Sequence, residues 1–358
     1  MTDVPAHVRV GANGIGDGWP CYVIAEAGLN HNGDLGLAHE LIVAAARSGA
    51  DAVKFQKRTV DILAIRSVLD AADTRFPSFG LTYREVREHL EFNSTQYAEL
   101  ISHARQEGLT FLCTPFDVPA IEFLEPFDLA AYKVASHSIT NLPMLERLAT
   151  CGKPVIMSTG MCTLAEIDAA VDLFQRHASP LALMHCVSAY PTPPDQCNLR
   201  MMDVLRDRYG LPTGYSGHEL GYLPTLAAVA RGAAVIERHL TLSAGLEGFD
   251  HRLSLEPHQF AAMVQALREI ERALGTGEKV ISDTELVTRR KYHVSIVAAV
   301  PIAPDTVVTL DMLTLKNPGT GLPASRLPSL CGRRARRAIE ADALVTEEML
   351  DGSREGLL

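Results

Sequence analysis

Residues 213–240 read TGYSGHELGYLPTLAAVARGAAVIERHL: an apolar run, a helical pattern and a second apolar run. The first run predicts a strand over 213–217, the middle segment a helix over 223–231, and the last run a strand over 233–240. Both strands are apolar with little alternation, which is typical of strands buried on both faces of a parallel sheet. This strand–helix–strand unit sets the fold class, because the rest of the chain repeats it.

Similar apolar runs precede this unit at 21–25, 52–56, 109–114, 131–136, 154–159 and 181–187. Helical segments separate the runs, among them 35–48, 94–106 and 163–177, and start and stop signals bound these segments. Thr163 followed by Glu166 is a helix-start signal, and Gly49 and Gly108 are stop signals. Eight strand–helix units in succession predict a closed (β/α)8 TIM barrel rather than an open doubly wound sheet.

Two segments depart from this regular pattern. Residues 57–93 separate the second strand from its helix, and a loop of this size at a barrel mouth is usually a lid or a binding loop. A disordered insertion is the alternative. Residues 283–294 predict a linker after a barrel domain over 1–282, and short strands beyond the linker predict a small β-rich domain over 295–358. A domain of this size is marginal alone, so we expect it to pack on something.

Composition excludes several classes of protein. The 358 residues are 47% hydrophobic and 21% charged, which is ordinary for a globular protein, and the net charge of −10 argues against nucleic-acid binding. No apolar run approaches the roughly 20 residues that span a bilayer, and the N-terminus lacks the pattern of a secretory signal. Seven cysteines without a C-x-x-C pair are typical of a reducing cytosol. We therefore expect a cytoplasmic protein that binds neither nucleic acid nor membrane.

Polar side chains stand at the ends of the predicted strands, where barrel enzymes carry their active sites. His218 and His239 end the last two strands, so their imidazoles could hold a divalent metal with open coordination positions. A pair of hydrogen-bonded core histidines is the alternative. Lys54 and Lys133 lie in buried strands, where an ammonium group is costly without an anion, so we expect a ligand with phosphate and carboxylate groups. No P-loop or nucleotide-binding glycine motif follows the first strand.

Together these strand ends resemble the sialic acid (N-acetylneuraminate) synthase family, which includes legionaminic and pseudaminic acid synthases. The matching segments are 26–33 (EAGLNHNG), 53–56 (VKFQ), 113–117 (CTPFD), 133–136 (KVAS), 158–161 (STGM), 190–193 (YPTP), 214–218 (GYSGH) and 237–239 (ERH). Residues 316–321 resemble that family's C-terminal antifreeze-like (SAF) domain. The segments follow the family's order along nearly the whole chain.

The resemblance implies condensation of phosphoenolpyruvate with an open-chain sugar aldehyde, which yields a 2-keto-3-deoxy acid and phosphate by C–O cleavage. It implies that His218 and His239 hold Mn²⁺ or Mg²⁺. It also implies a domain-swapped homodimer in which the tail domain covers the partner's barrel mouth. The implied catalytic residues are Glu26, Lys54, Lys133, Tyr190 and Asp250, and the implied substrate-binding residues are Gln56, Thr114, Ser136, Ser138, Ser158, Ser188, Ser216 and Asn317.

Three positions depart from the family's pattern. Ser138 stands where the family usually has an acidic residue, and Ser188 stands where sialic acid synthases usually have Asn. Asn317 replaces a tail arginine that reaches the N-acetyl group of the acceptor in the neighbouring subunit, and a neutral amide cannot reproduce a guanidinium. We therefore expect an acceptor other than N-acetylmannosamine, in a specialised sugar or natural-product pathway. A Schiff-base aldolase using Lys133 and a non-catalytic binder of sugar phosphates are the competing hypotheses.

Overall fold

The computed structural model describes residues 7–352, and the chain divides into two compact units after Gly275. The first unit is built on a closed barrel of eight parallel strands, which confirms the predicted TIM barrel. A hairpin of β1 (His7–Val10) and β2 (Asn13–Gly16) precedes the barrel. The barrel strands are β3 (Tyr22–Gly28), β4 (Ala52–Lys57), β5 (Thr110–Pro115), β6 (Tyr132–Val134), β7 (Val155–Ser158), β8 (Leu181–Cys186), β9 (Thr213–Gly217) and β10 (Val235–His239).

Helices alternate with these strands along the chain. Those of the first unit are α1 (Leu35–Arg47), α2 (Val60–Leu63), α3 (Arg66–Leu69), α4 (Tyr83–His89), α5 (Ser94–Gln106), α6 (Val118–Leu124), α7 (Leu142–Ala149), α8 (Leu164–Arg176), α9 (Met201–Tyr209), α10 (Leu223–Ala230) and α11 (Pro257–Leu274). The predicted bounds of α1, α5, α8 and α10 hold to within one residue at each end. At α8 the Thr163 hydroxyl accepts from the Glu166 amide and the Glu166 carboxylate accepts from the Thr163 amide, so the predicted start signal is a capping box.

Alternation along each strand separates the core from the cavity. In β3, Val23 and Ala25 pack outward among the helices, whereas Ile24 points inward and packs in the apolar layer inside the barrel. Glu26 lies on the same inner face, two residues nearer the carboxyl end. Side chains of the N-terminal hairpin, including Ile15, pack against the inner apolar layer and close the amino ends of the strands. The inner face is therefore apolar at one end of the barrel and polar at the other.

The long connection between β4 and α5 is structured. It carries α2, α3 and α4, so the alternative of a disordered insertion is wrong. Thr82 and Glu85 form a capping box at the start of α4. Val86 of α4 and the following Leu90 pack with Leu29, which lies just beyond β3, and this contact holds the segment against the carboxyl end of the barrel.

The second unit has a small apolar core of its own, which includes Ile296 and Val308. Its elements are α12 (Asp283–Tyr292), β11 (Ser295–Ala298), β12 (Leu313–Lys316) and α13 (Leu327–Leu330), with β11 and β12 antiparallel. Of the short strands predicted beyond the linker, the one over 307–309 is present only as an isolated bridge from Val307 to Arg334. The predicted linker over 283–294 is largely the helix α12, which Ser282 caps. This helix buries no residue, so it lacks the apolar period by which a sequence reveals a helix.

All seven cysteines are free thiols, and Cys113 and Cys186 are buried within β5 and β8. The Cys113 thiol packs in the apolar core as a small hydrophobe, whereas Cys186 lines the polar end of the barrel. Among residues 7–352 no helix has the length and apolar character that crossing a membrane would require.

Candidate active site

A cavity of about 440 Å³ opens at the carboxyl ends of the barrel strands. Every barrel strand contributes at least one lining side chain, because the residues that face inward at this end of each strand are polar. The predicted site residues at the cavity are Glu26, Lys54, Gln56, Thr114, Lys133, Ser136, Ser158, Ser188, Tyr190, Ser216, His218, His239 and Asp250.

Two predicted site residues do not line this cavity. Ser138 ends a short turn of helix after β6 and is 2% exposed, so its side chain is enclosed by protein. Asn317 belongs to the second unit, where its side-chain amide donates to the Tyr292 carbonyl at 2.6 Å. Substrate binding by these two residues stays a prediction.

Two lysines and two glutamates form the floor of the cavity. Lys54 Nζ lies 2.8 Å from Glu26 Oε2 and 3.5 Å from Glu237 Oε1. Lys133 Nζ lies 3.7 Å from the other oxygen of Glu237. All four side chains are buried. The sequence predicted that a ligand would supply the anions for these ammonium groups, whereas the protein itself supplies two carboxylates.

The two glutamates respond to their surroundings in opposite directions. Burial alone would raise the pKa of Glu237, but the ammonium groups of Lys133 and Lys54 outweigh burial and hold this pKa below its usual range. Burial raises the pKa of Glu26 in spite of its contact with Lys54. Neighbouring carboxyls whose pKa values diverge in this way are suited to separate roles, one as a fixed anion and one as a carrier of protons.

Glu237 has no assigned role in the sequence-based site. The signal that could have found it is its position on β10, because it lies two residues before His239 and alternate residues of a strand share a face.

Hydroxyl groups surround the ammonium groups on the cavity floor. Lys133 donates to Ser158 Oγ at 2.6 Å, and Lys54 donates to Thr114 Oγ1 at 2.9 Å. The backbone of Gly160 donates to Ser136 Oγ at 2.9 Å, and a Cβ at this glycine would lie 2.5 Å from Ser188 Oγ. Only glycine therefore leaves room for both hydroxyls, and the resulting set of donors suits a ligand with several anionic oxygens.

The two predicted metal-binding histidines lie side by side, with ring centroids 5.3 Å apart. His218 Nδ1 donates to the Val187 carbonyl at 2.9 Å, which leaves the lone pair on Nε2. His239 Nδ1 is buried without a hydrogen bond, 3.7 Å from Asp250 Oδ2, and burial lowers the pKa of this ring to about 4. Both rings line the cavity, so metal binding by this pair stays a prediction.

The donor set at this pair fits a divalent metal, since imidazole nitrogen is a ligand for such ions. Among residues 7–352 no group of three or more histidine, cysteine or acidic side chains is arranged to hold a metal. A metal held by two imidazoles would have coordination positions open for water and substrate.

The cavity is also lined by residues that the sequence-based site lacks. Arg58, Tyr83, Arg87 and Phe249 line it, together with His137. Arg58, Tyr83 and Arg87 come from the long connection between β4 and α5. Tyr83 and Arg87 lie far along the chain from any strand end, so the strand-end pattern could not identify these two. The length of the connection was the available signal, because it predicted a lid or a binding loop.

Comparison with known proteins identifies the family. The model of the NeuB family matches residues 41–279, and that of the SAF domain matches residues 293–351. The human N-acetylneuraminate-9-phosphate synthase is 38% identical over 339 residues, which cover 94% of each chain. The N,N'-diacetyllegionaminic acid synthase of Legionella pneumophila is 38% identical over 349 residues, which cover 95% of this chain and 98% of the relative. The crystal structure of the N-acetylneuraminic acid synthetase from Leptospira borgpetersenii is 35% identical, with a TM-score of 0.70, and the match covers 79% of this chain and 94% of that one.

Proposed function

The chain belongs to the NeuB family, and from that membership we propose that it condenses phosphoenolpyruvate with an open-chain sugar aldehyde. The product would be a nonulosonic-type 2-keto-3-deoxy acid. The observation that carries the proposal is the cavity floor, where Lys54 and Lys133 lie among serine and threonine hydroxyls. Ammonium groups and directional hydroxyl donors suit the phosphate and carboxylate of phosphoenolpyruvate.

The proposed reaction forms one C–C bond and breaks one C–O bond. The methylene carbon of phosphoenolpyruvate attacks the aldehyde carbon, a new C–C bond forms, and the aldehyde oxygen takes up a proton. Water adds to the adjacent cationic carbon and loses a proton. The bond from that carbon to the phosphate-bridging oxygen then breaks, the new hydroxyl gives its proton to the departing phosphate, and the keto group forms.

Residues of the cavity would serve each stage. Lys54 and Lys133 would neutralise the anionic groups of phosphoenolpyruvate throughout. Glu26, whose pKa burial raises, would hold or transfer the proton that the aldehyde oxygen receives. Gln56 donates to Glu26 at 2.5 Å and would fix the orientation of this carboxyl group.

His218 and His239 would hold Mn²⁺ or Mg²⁺. When bound, such an ion supplies Lewis-acid polarisation of a carbonyl oxygen. We expect the protein to release no phosphate from phosphoenolpyruvate after treatment with a chelator and dialysis. Addition of Mn²⁺ should restore the release. Phosphate release that persists at full rate after chelation would contradict the metal assignment. Absence of release under every metal would favour the non-catalytic binder instead.

The acceptor is proposed to be a polyhydroxy aldehyde other than N-acetylmannosamine, because Asn317 stands in place of the family's tail arginine. Phosphate release measured across a panel of aldehydes tests this. Efficient turnover of N-acetylmannosamine would overturn the proposed acceptor and leave the proposed reaction intact.

A Schiff-base aldolase remains the second candidate, because burial lowers the pKa of Lys133 and so favours its neutral amine. Borohydride added with pyruvate or another keto acid would trap a covalent adduct on Lys133 in an aldolase. The condensation that we propose needs no such adduct, so a trapped adduct would favour the aldolase.

We also propose that the functional form is a domain-swapped homodimer. The small core of the second unit supports this, since a unit of this size gains stability from a partner. In the dimer each SAF unit would cover the barrel mouth of the other chain.

A further inference from the structure

Asp250 reaches the cavity from a connection rather than from a strand. It lies between β10 and α11, lines the cavity, and has its carboxylate 3.7 Å from His239 Nδ1. Among residues 7–352 no hydrogen bond to this carboxylate is present, so its direction depends on how the backbone of the connection is held. Connections between barrel elements are mobile unless other parts of the chain bind them.

His251, the next residue, binds this connection to a distant part of the chain. It is 1% exposed and does not line the cavity. Its Nε2 lies 3.1 Å from Asn32 Oδ1, and its Nδ1 lies 2.7 Å from Thr241 Oγ1. Asn32 follows β3, the strand that carries Glu26. The buried ring of His251 therefore joins the segment that carries Asp250 to the segment that carries Glu26.

The partners of His251 define its tautomer. The side-chain nitrogen of Asn32 donates to the Glu247 carbonyl at 2.8 Å, so the oxygen of this amide is turned towards the histidine. An amide oxygen only accepts, and His251 Nε2 must therefore carry the hydrogen and donate. Nδ1 is then free to accept from the Thr241 hydroxyl. Burial lowers the pKa of His251, which favours this neutral form.

The connection folds closely over the bond between His251 and Asn32. A Cβ at Gly248 would lie 2.6 Å from the His251 ring and 2.8 Å from Asn32 Oδ1. Asn32 itself has φ of 51°, in the left-handed region that asparagine tolerates better than most residues. Only glycine leaves room at position 248, so the backbone of the turn and the bond beneath it form one packed unit.

A second asparagine of the same turn binds the other side of Asp250. The side-chain amide of Asn30 donates to the Leu240 carbonyl and to Ser254 Oγ, each at 2.8 Å. The Ser254 hydroxyl donates in turn to the Asp250 carbonyl at 2.7 Å. The backbone is thus held on both sides of Asp250, and His251 supplies the contact closest to it in sequence.

We propose that His251 is a positioning residue for the condensation: by donating to Asn32 it holds the turn over residues 247–251 so that the Asp250 carboxylate faces the cavity beside His239. Without this bond the carboxylate would sample other orientations, and small displacements of a group that acts on substrate cost rate steeply. This inference rests on the proposed function, since it assigns Asp250 to that reaction.

Two substitutions separate the two bonds of the ring. His251→Gln places an amide nitrogen near the position of Nε2 and keeps a donor for Asn32. His251→Asn is shorter, so its amide reaches only the position of Nδ1 and serves Thr241 alone. His258→Asn is the matched control, because this histidine begins α11 nearby but 75% of its side chain is exposed.

Hydrogen–deuterium exchange measures the position of the turn without any substrate. We expect His251→Asn to speed exchange over residues 246–253 about tenfold and His251→Gln and His258→Asn to leave it near that of the parent. Asn32→Gly breaks the same bond from the other side, tolerates the left-handed φ, and should speed exchange equally. Unchanged exchange in both His251→Asn and Asn32→Gly would overturn the inference.

Kinetics then test whether His251 acts through Asp250. His251→Asn should lower kcat about tenfold and leave the KM of phosphoenolpyruvate unchanged, and His251→Gln should recover most of kcat. The double variant Asp250→Asn, His251→Asn should be as active as Asp250→Asn alone, because the positioned group is already lost.

Losses that multiply in the double variant would overturn the inference and leave His251 with a general structural role. Equal loss of kcat in His251→Gln and His251→Asn, or normal kcat in His251→Asn, would also overturn it. Failure of the parent protein to release phosphate with any aldehyde would instead overturn the proposed function, while the exchange measurement would still test the bond between His251 and Asn32.

Discussion

At the scale of single residues, side chains of one type differ because their surroundings differ. Glu26 and Glu237 are both buried on the cavity floor, and Lys54 contacts both. Of the two glutamates, Lys133 contacts Glu237 alone, and this second ammonium holds the pKa of Glu237 low, while burial dominates at Glu26. A sequence pattern places both carboxyls on the inner face, but only the three-dimensional arrangement assigns their protonation.

His31 gives a residue-level test by pH. It is buried, its Nδ1 accepts from the Gly33 amide at 3.1 Å, and its ring lies 4.4 Å from that of Phe92. Burial lowers its pKa to about 3 from an ordinary value of 6.5. Below pH 6.5 the unfolded chain therefore binds a proton at His31, whereas the folded protein does not. The stability contribution of neutral His31 is complete above pH 6.5 and is lost progressively as the pH falls towards 3.

Because of His31, we expect the free energy of unfolding to fall by about 2 kcal/mol when the pH is lowered from 7 to 5. Urea unfolding at both pH values measures it. His31→Asn keeps a side-chain acceptor but does not titrate, so its loss of stability over this interval should be smaller than that of the parent by about this amount. Equal losses in the two proteins would contradict the buried neutral state of His31.

At the scale of elements, the sequence predicts what is periodic and misses what is not. The eight barrel strands were predicted because apolar runs bounded by turn signals reveal buried strands. The polar ends of those strands supplied most of the candidate site. The helix α12 was missed because it buries no face, and Tyr83 and Arg87 were missed because they lie far along the chain from any strand end.

The ends of β9 and β10 are joined by a buried ion pair behind the histidines. Arg238 Nη1 lies 2.7 Å from Glu219 Oε1, and both side chains are fully buried. Thr225 and Tyr215 also donate to the Glu219 carboxylate. Because Glu219 and Arg238 are neighbours in sequence of His218 and His239, this network fixes the spacing of the two strand ends.

Arg238→Met should destabilise the protein by about 3–5 kcal/mol, because it leaves the Glu219 charge buried without its partner. Thermal unfolding measures the loss. Arg208→Met removes an exposed pair with Asp168 and should cost far less, because water screens that pair. Similar losses in the two variants would contradict the structural role of the buried pair. In the double variant Arg238→Met, Glu219→Gln the loss should be smaller than the sum of the two single losses.

At the scale of the whole molecule, the chain consists of a barrel and a small second unit with its own core. All eight strands of the barrel contribute side chains to the cavity. Nearly all of the candidate site belongs to the barrel. The substrate role predicted for Asn317 depends on a second copy of the chain, so it belongs to the dimer that we propose.

The dimer is tested by analytical ultracentrifugation at the protein concentrations used for activity. We expect sedimentation as a dimer, and activity that falls as dilution separates the subunits. A monomer with full activity would contradict the domain-swapped arrangement and leave the barrel chemistry unaffected.

The central claim is that this protein joins phosphoenolpyruvate to an aldehyde and releases phosphate by cleaving the C–O bond. Phosphoenolpyruvate labelled with ¹⁸O at the bridging oxygen tests it most directly, with a panel of phosphorylated and unphosphorylated sugar aldehydes and Mn²⁺ present. We predict that the released phosphate carries the label, as seen by mass spectrometry, and that the new acid carries a keto oxygen from water. Label retained in the acid, or release of phosphate without a condensed product, would contradict the account.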